Sequence, residues 1–198
     1  MTKQRVAVLI SGRGSNMQAL VRAARAPDYP AEIVAVISNR PGAAGLAFAR
    51  DNGIPAEAID HKAYPDREAF EAALHQSLLR HRAELVACAG FMRILTPGFT
   101  RRWAGRMLNI HPSLLPAYKG LHTHEQALAD KATRHGASVH FVSEELDGGQ
   151  VIAQAAVPVM EGDTAETLAA RVLNVEHPLY VKALELVASG KVQFKTSS

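Results

Sequence analysis

Apolar residues follow two rhythms along this chain. Short unbroken runs rich in Val and Ile occupy 5–10, 33–38 and 84–89, each bounded by turn residues, as expected of strands buried on both faces. Between them the apolar positions take helical spacing. Met17, Leu20, Val21 and Ala24 share one face, and Phe70, Ala73, Leu74, Ser77 and Leu78 share another behind Asp66, which is suited to cap that helix. Residues 107–110, 137–142 and 151–157 read as later strands. A closing helix is expected from 164 to about 188, with Asp163 and Glu166 as its capping box and Pro178 kinking or dividing it. Strand alternating with helix implies a Rossmann-like α/β fold, a mainly parallel twisted sheet with helices on both faces. Ligands in such a sheet gather at the carboxyl ends of the strands.

A chain of 198 residues, 47% hydrophobic and 21% charged, is sized for one core, so a single domain over 1–198 is expected. Its purely apolar runs, such as 6–10, fall far short of the roughly 20 residues of a membrane-spanning helix. The first run passes straight into Ser11-Gly12, the end of a buried strand and not a secretory signal. The sole cysteine, Cys88, lies in an apolar setting and reads as a packed core thiol, which fits a cytoplasmic location. A net charge of +3 and a pI near 9.2 lean towards anionic partners. Basic residues are nevertheless scattered and aromatics reach only 6%, so the basic, stacking surface of a nucleic-acid binder is missing.

Chemistry first shows in Ser11-Gly12-Arg13-Gly14-Ser15-Asn16, which follows the first strand and opens the first helix. There the backbone amides and the helix dipole favour an anion, glycine lets the chain approach a phosphate closely, and Ser15 and Asn16 add donors. Ser15 acting only as a helix cap is the plainer alternative. A dinucleotide site is the other, but Met17 stands where the fingerprint requires its third glycine. The second strand also ends in Ser38-Asn39-Arg40, without the acidic residue for an NAD ribose, although Ser38 and Arg40 could hold an NADP phosphate, which makes NADP the runner-up cofactor.

In Met107-Leu108-Asn109-Ile110-His111-Pro112 the alternation of a strand sends Asn109 and His111 to one face, and Pro112 holds His111 extended at the strand's end. A carboxamide and an imidazole side by side suit acyl transfer, which needs a donor for the oxyanion and a group that shuttles a proton. Taken singly, each residue is as well explained by a turn or a satisfied core position. Asp147, between two expected strands in Leu146-Asp147-Gly148-Gly149, is the candidate neighbour that would favour an imidazolium.

Four segments together, Ile10-Ser11-Gly12-x-Gly14-Ser15-Asn16, Ala89-Gly90-Phe91-Met92-Arg93-Ile94-Leu95, Asn109-Ile110-His111-Pro112-Ser113-Leu114-Leu115-Pro116 and Leu146-Asp147-Gly148-Gly149, resemble the phosphoribosylglycinamide formyltransferase family. The resemblance spans nearly the whole chain. It implies the formyltransferase fold and transfer of a formyl group from 10-formyltetrahydrofolate to the amine of 5'-phosphoribosylglycinamide, by direct attack through a tetrahedral intermediate, in purine biosynthesis. Gly14, Ser15 and Asn16 would bind the ribonucleotide phosphate, and Glu176 would contact the same substrate. Arg67, Met92, Arg93, Ile94, Leu95, Asn109, Ser143, Glu144, Glu145, Leu146 and Asp147 would form the folate pocket. Asn109, His111 and Asp147 would be the catalytic group, with no metal. The implied partners are these small molecules, acting on a cytoplasmic monomer or homodimer without nucleic acid or membrane.

Rival readings remain at this stage. A zinc site built on His111, His122 and His124 is disfavoured because residues two apart at a helix start diverge. Methionyl-tRNA formyltransferase and formyltetrahydrofolate deformylase share the core but add a domain for which 198 residues leave no room. Besides a deformylase-like hydrolase, an NADP-dependent oxidoreductase and a nucleotide sensor without catalysis are the alternatives.

Overall fold

The structure, a computed structural model, describes residues 2–196. Its frame is a seven-stranded sheet made of β1 (Gln4–Ile10), β2 (Ala31–Ser38), β3 (Ala56–Ala58), β4 (Leu85–Cys88), β5 (Met107–His111), β6 (Arg134–Phe141) and β7 (Val151–Pro158). Spatially the order is β3-β2-β1-β4-β5-β6-β7. The first five strands run parallel, and β6 is antiparallel to both of its neighbours.

Why β1 sits near the centre follows from its sequence, since both of its faces are apolar. Val6, Val8 and Ile10 pack on one side against Met17, Leu20 and Val21 of α1 (Ser15–Ala24) and Leu168 and Val172 of α6 (Ala165–Ala188). Ala7 and Leu9 pack on the other against Phe70, Leu74 and Leu78 of α3 (Arg67–Arg80). Among the described residues three shorter α-helices, α2 (Ala44–Asp51), α4 (Pro97–Arg102) and α5 (Thr123–Ala129), and a 3₁₀ turn at His61–Ala63 complete the helical elements. None of the three, nor the three-residue β3, stands out in the apolar pattern. The thiol of Cys88 is buried, which pushes its pKa up to about 12 and keeps it protonated.

Helix ends are where sequence and structure part. Asp66 caps α3 by accepting from the Ala69 N–H at 2.8 Å. At α6 the expected box of Asp163 and Glu166 is not the one formed. Thr164 is the N-cap, accepting from the Thr167 N–H at 3.2 Å, while the Thr167 hydroxyl accepts from the Thr164 N–H at 2.9 Å. Asp163 is drawn elsewhere, held by Arg171 through Nη1 at 2.6 Å and Nη2 at 2.8 Å. Pro178 lies inside α6 without dividing it, although its missing N–H cannot bond the Asn174 carbonyl. Among the described residues, no helix is long and apolar enough to cross a membrane.

The strand order reverses its direction of growth between β1 and β4. From β1 the chain builds outward to β3, then returns past β1 to build β4 to β7 on the other side. Connections leave the carboxyl ends of those two strands in opposite directions, which opens a crevice there.

Candidate active site

A cleft of about 770 Å³ occupies that crevice. Its walls include Asn16 at the start of α1, the coil after β4, the end of β5, the segment 120–125 that leads into α5, the turn between β6 and β7, and Glu176 of α6. Phe91, Ile94, Leu95, Val142 and Leu146 make much of the lining apolar, and polar groups gather around Asn109 and His111.

The register of β5 against β6 fixes the polar centre. Asn109 pairs with His140 and His111 with Ser138 across the antiparallel ladder. The Nδ1–H of His140 donates to the Phe141 carbonyl at 2.9 Å, so its Nε2 carries the lone pair and faces Asn109 Nδ2 at 3.4 Å. Burial lowers the pKa of His140, consistent with a neutral ring, although the nearby Asp147 carboxylate works the other way.

Asp147 closes the group. One carboxylate oxygen lies 3.4 Å from His111 Nδ1 and accepts the Gly120 N–H at 2.9 Å, while the other lies 3.7 Å from His140 Nε2. His111 and Asp147 each expose only 7% of their side chains, so this contact is shielded from water. The second nitrogen of His111, Nε2, donates to the Tyr118 carbonyl at 2.8 Å.

Backbone geometry holds Asp147 where it is. Its φ of 51° is left-handed, a conformation that Asp tolerates better than most residues. Two positions later the chain runs so close to β6 that a Cβ on Gly149 would lie 1.8 Å from the Phe141 carbonyl oxygen. The turn is braced from outside by Arg101 on Glu144 at 2.9 Å and Lys119 on Glu145 at 2.7 Å.

Towards α1, burial raises the pKa of the Glu176 carboxyl, outweighing the opposite pull of the Asn16 side chain. The N-cap of α1 is the left-handed Gly14, and no side chain caps the helix. Ser15 is the first helical residue, so the amides of that turn have no side-chain partner of their own.

Residues 4–184 match the formyl transferase family. The chain belongs to the formyl transferase family. It is 46% identical to the phosphoribosylglycinamide formyltransferase of Escherichia coli (strain K12), across 95% of this chain and 89% of that one. A crystal structure of phosphoribosylglycinamide formyltransferase from Brucella melitensis superposes with a TM-score of 0.91 at 49% identity, covering 98% of this chain and all of that one. The chain is also 53% identical to the trifunctional purine biosynthetic protein adenosine-3 of Bos taurus over 96% of its own length, and it spans only 19% of that protein.

Within this formyl transferase cleft the structure gathers Asn16, Met92, Arg93, Ile94, Leu95, Asn109, His111, Ser143, Glu144, Glu145, Leu146, Asp147 and Glu176. Gly14 and Ser15 are not part of its lining, and Arg67 is an exposed residue at the start of α3, also outside it. His122 is the exposed, left-handed N-cap of α5, while His124 turns inward to lie 3.1 Å from His135 Nε2. Burial lowers the pKa of His135 to about 4, which keeps that ring neutral. Sequence reasoning missed His140 and the Tyr118 carbonyl. His140 was detectable as an imidazole within an otherwise apolar expected strand, whereas nothing local marks Tyr118.

Proposed function

We propose that this formyl transferase moves the formyl group of 10-formyltetrahydrofolate onto the amine of 5'-phosphoribosylglycinamide, giving formylglycinamide ribonucleotide for purine biosynthesis. Residues 1–198 are read as one catalytic domain working in the cytoplasm. The observation that carries this reading is the convergence of Asn109, His111 and Asp147 in one cleft that Asn16 and Glu176 also line.

Each group has a part. The Asn109 amide donates to the oxygen that gains negative charge as the amine adds to the formyl carbon. His111 faces the same reaction zone and supplies or accepts the proton that moves from the attacking amine to the departing folate nitrogen. Asp147 fixes the imidazole and stabilises its charged form. His140, by accepting from Asn109 Nδ2, sets which side of the carboxamide offers its remaining N–H to the reaction. The apolar wall of Met92, Ile94 and Leu146, more than half exposed at each of the three, suits one face of a flat heteroaromatic ring. The open first turn of α1 suits a phosphate.

The test is a steady-state assay with 10-formyltetrahydrofolate and 5'-phosphoribosylglycinamide, following loss of the folate-bound formyl group. Turnover that depends on both substrates is expected. Formyl loss that is independent of the ribonucleotide would instead indicate a hydrolase, and no loss at all would refute the proposal.

A further inference from the structure

Residues 91–96, between β4 and α4, belong to no helix or strand, yet they form a wall of the cleft. Within 90–96 only two backbone N–H groups have a protein partner among the described residues, those of Met92 and Thr96. Neither partner is backbone. Met92 N–H donates to Ser11 Oγ at 2.8 Å, and Thr96 N–H donates to a Glu71 carboxylate oxygen at 2.7 Å. The other Glu71 oxygen accepts the Thr96 hydroxyl.

Both anchors are themselves fixed. Ser11, at the end of β1, donates its own proton to Asn39 Oδ1, at the end of β2, so the hydroxyl is committed as donor and acceptor at once. Ser11 and Glu71 are each 4% exposed and Asn39 is 1% exposed. A buried carboxylate that accepts two hydrogen bonds from one residue of a coil is a costly device unless the coil must stay in place. Between the two anchors the backbone N–H groups of Arg93, Ile94 and Leu95 have no hydrogen-bond partner among the described residues.

We propose that Ser11 and Glu71 are positioning residues that clamp the two ends of this coil and so preform the folate-binding wall. The Ser11 hydroxyl bonds Asn39 and the Met92 N–H and makes no bond to the glycine-rich turn that follows it, so the effect of its loss falls on the coil. The ligand named here rests on the function proposed above, whereas the clamp itself rests on the hydrogen bonds.

Two measurements test it on Ser11→Ala, Glu71→Ala and Glu71→Gln. In the first, each alanine variant should raise the KM for 10-formyltetrahydrofolate about tenfold, the scale of one buried donor left unpaired, with the ribonucleotide KM within about twofold. Glu71→Gln, which keeps an acceptor for the Thr96 N–H, should recover most of the loss and covers the case in which Glu71→Ala does not fold. Unchanged folate KM in the variants, or an equal rise in both KM values, overturns the proposal. The second measurement is amide hydrogen exchange by NMR and needs no turnover. Exchange at Met92 should quicken in Ser11→Ala while Val8 in the core stays slow, and unchanged exchange at Met92 overturns the clamp. Failure of the wild-type protein to turn over the two substrates would sink the functional reading and leave the exchange result to decide the clamp.

Discussion

Asn109 and His140 face one another across the antiparallel pair β5 and β6, with Nδ2 and Nε2 3.4 Å apart. Because His140 Nδ1–H is committed to the Phe141 carbonyl, the contact has only one polarity, amide to imidazole. His140→Ala should therefore free the Asn109 carboxamide to rotate. We expect kcat to fall about tenfold, the scale of losing one oriented hydrogen bond, with both KM values little changed. His140→Gln, whose carbonyl oxygen can accept from Asn109, should retain more activity, and steady-state kinetics on the two variants compares them.

Replacing His111 or Asp147 by alanine should reduce kcat by about a hundredfold or more, the range of a lost general acid or base. The far-ultraviolet circular dichroism spectrum should match that of the wild type. Near-normal turnover in either variant would contradict the roles given to them.

Gly149 has no room for a methyl group. A Cβ there would lie 1.8 Å from the Phe141 carbonyl oxygen, and the Phe141 N–H is itself bonded to the Gln150 carbonyl at 2.9 Å, so the strand cannot yield on its own. Gly149→Ala should displace the turn that carries Asp147, lowering both Tm and kcat. Differential scanning calorimetry with an activity assay would reveal whether the two fall together.

Asp163 gives a pH dependence of defined sign. Hydrogen bonding from Arg171, joined by the Met160 N–H, holds its carboxyl well below the usual carboxylate range. A pKa depressed on folding adds stability above the unfolded value, near pH 4, and that stability disappears as the pH falls through the folded value. Asp163→Asn should lower Tm at neutral pH, and the wild-type and variant curves should converge in acid. A constant gap down to pH 2 would show that the pair contributes nothing by charge.

What the sequence discloses depends on whether an element is defined by its own residues. The strands at 5–10 and 33–38 are legible because burial on both faces makes them continuous in Val and Ile, and the α3 face is legible from Phe70 to Leu78. Asn109 and His111 can be paired from a period of two alone. His140 cannot be joined to them in the same way, because which residue of β6 stands opposite Asn109 depends on a register set by tertiary packing. The cap of α6 is misplaced by one residue for a related reason: Arg171, a further eight positions along, competes for Asp163 and leaves the capping to Thr164. Tyr118 contributes only a carbonyl, which every residue has.

The reversal of strand order at β1 and β4 also divides the labour of building the cleft. The α1 turn and the coil after β4 are made by the first half of the chain, while the carboxamide, both imidazoles and the carboxylate come from the second. Neither half alone would therefore hold a complete site, since the reactive groups meet the receptacle only where β5 and β6 stand beside β4.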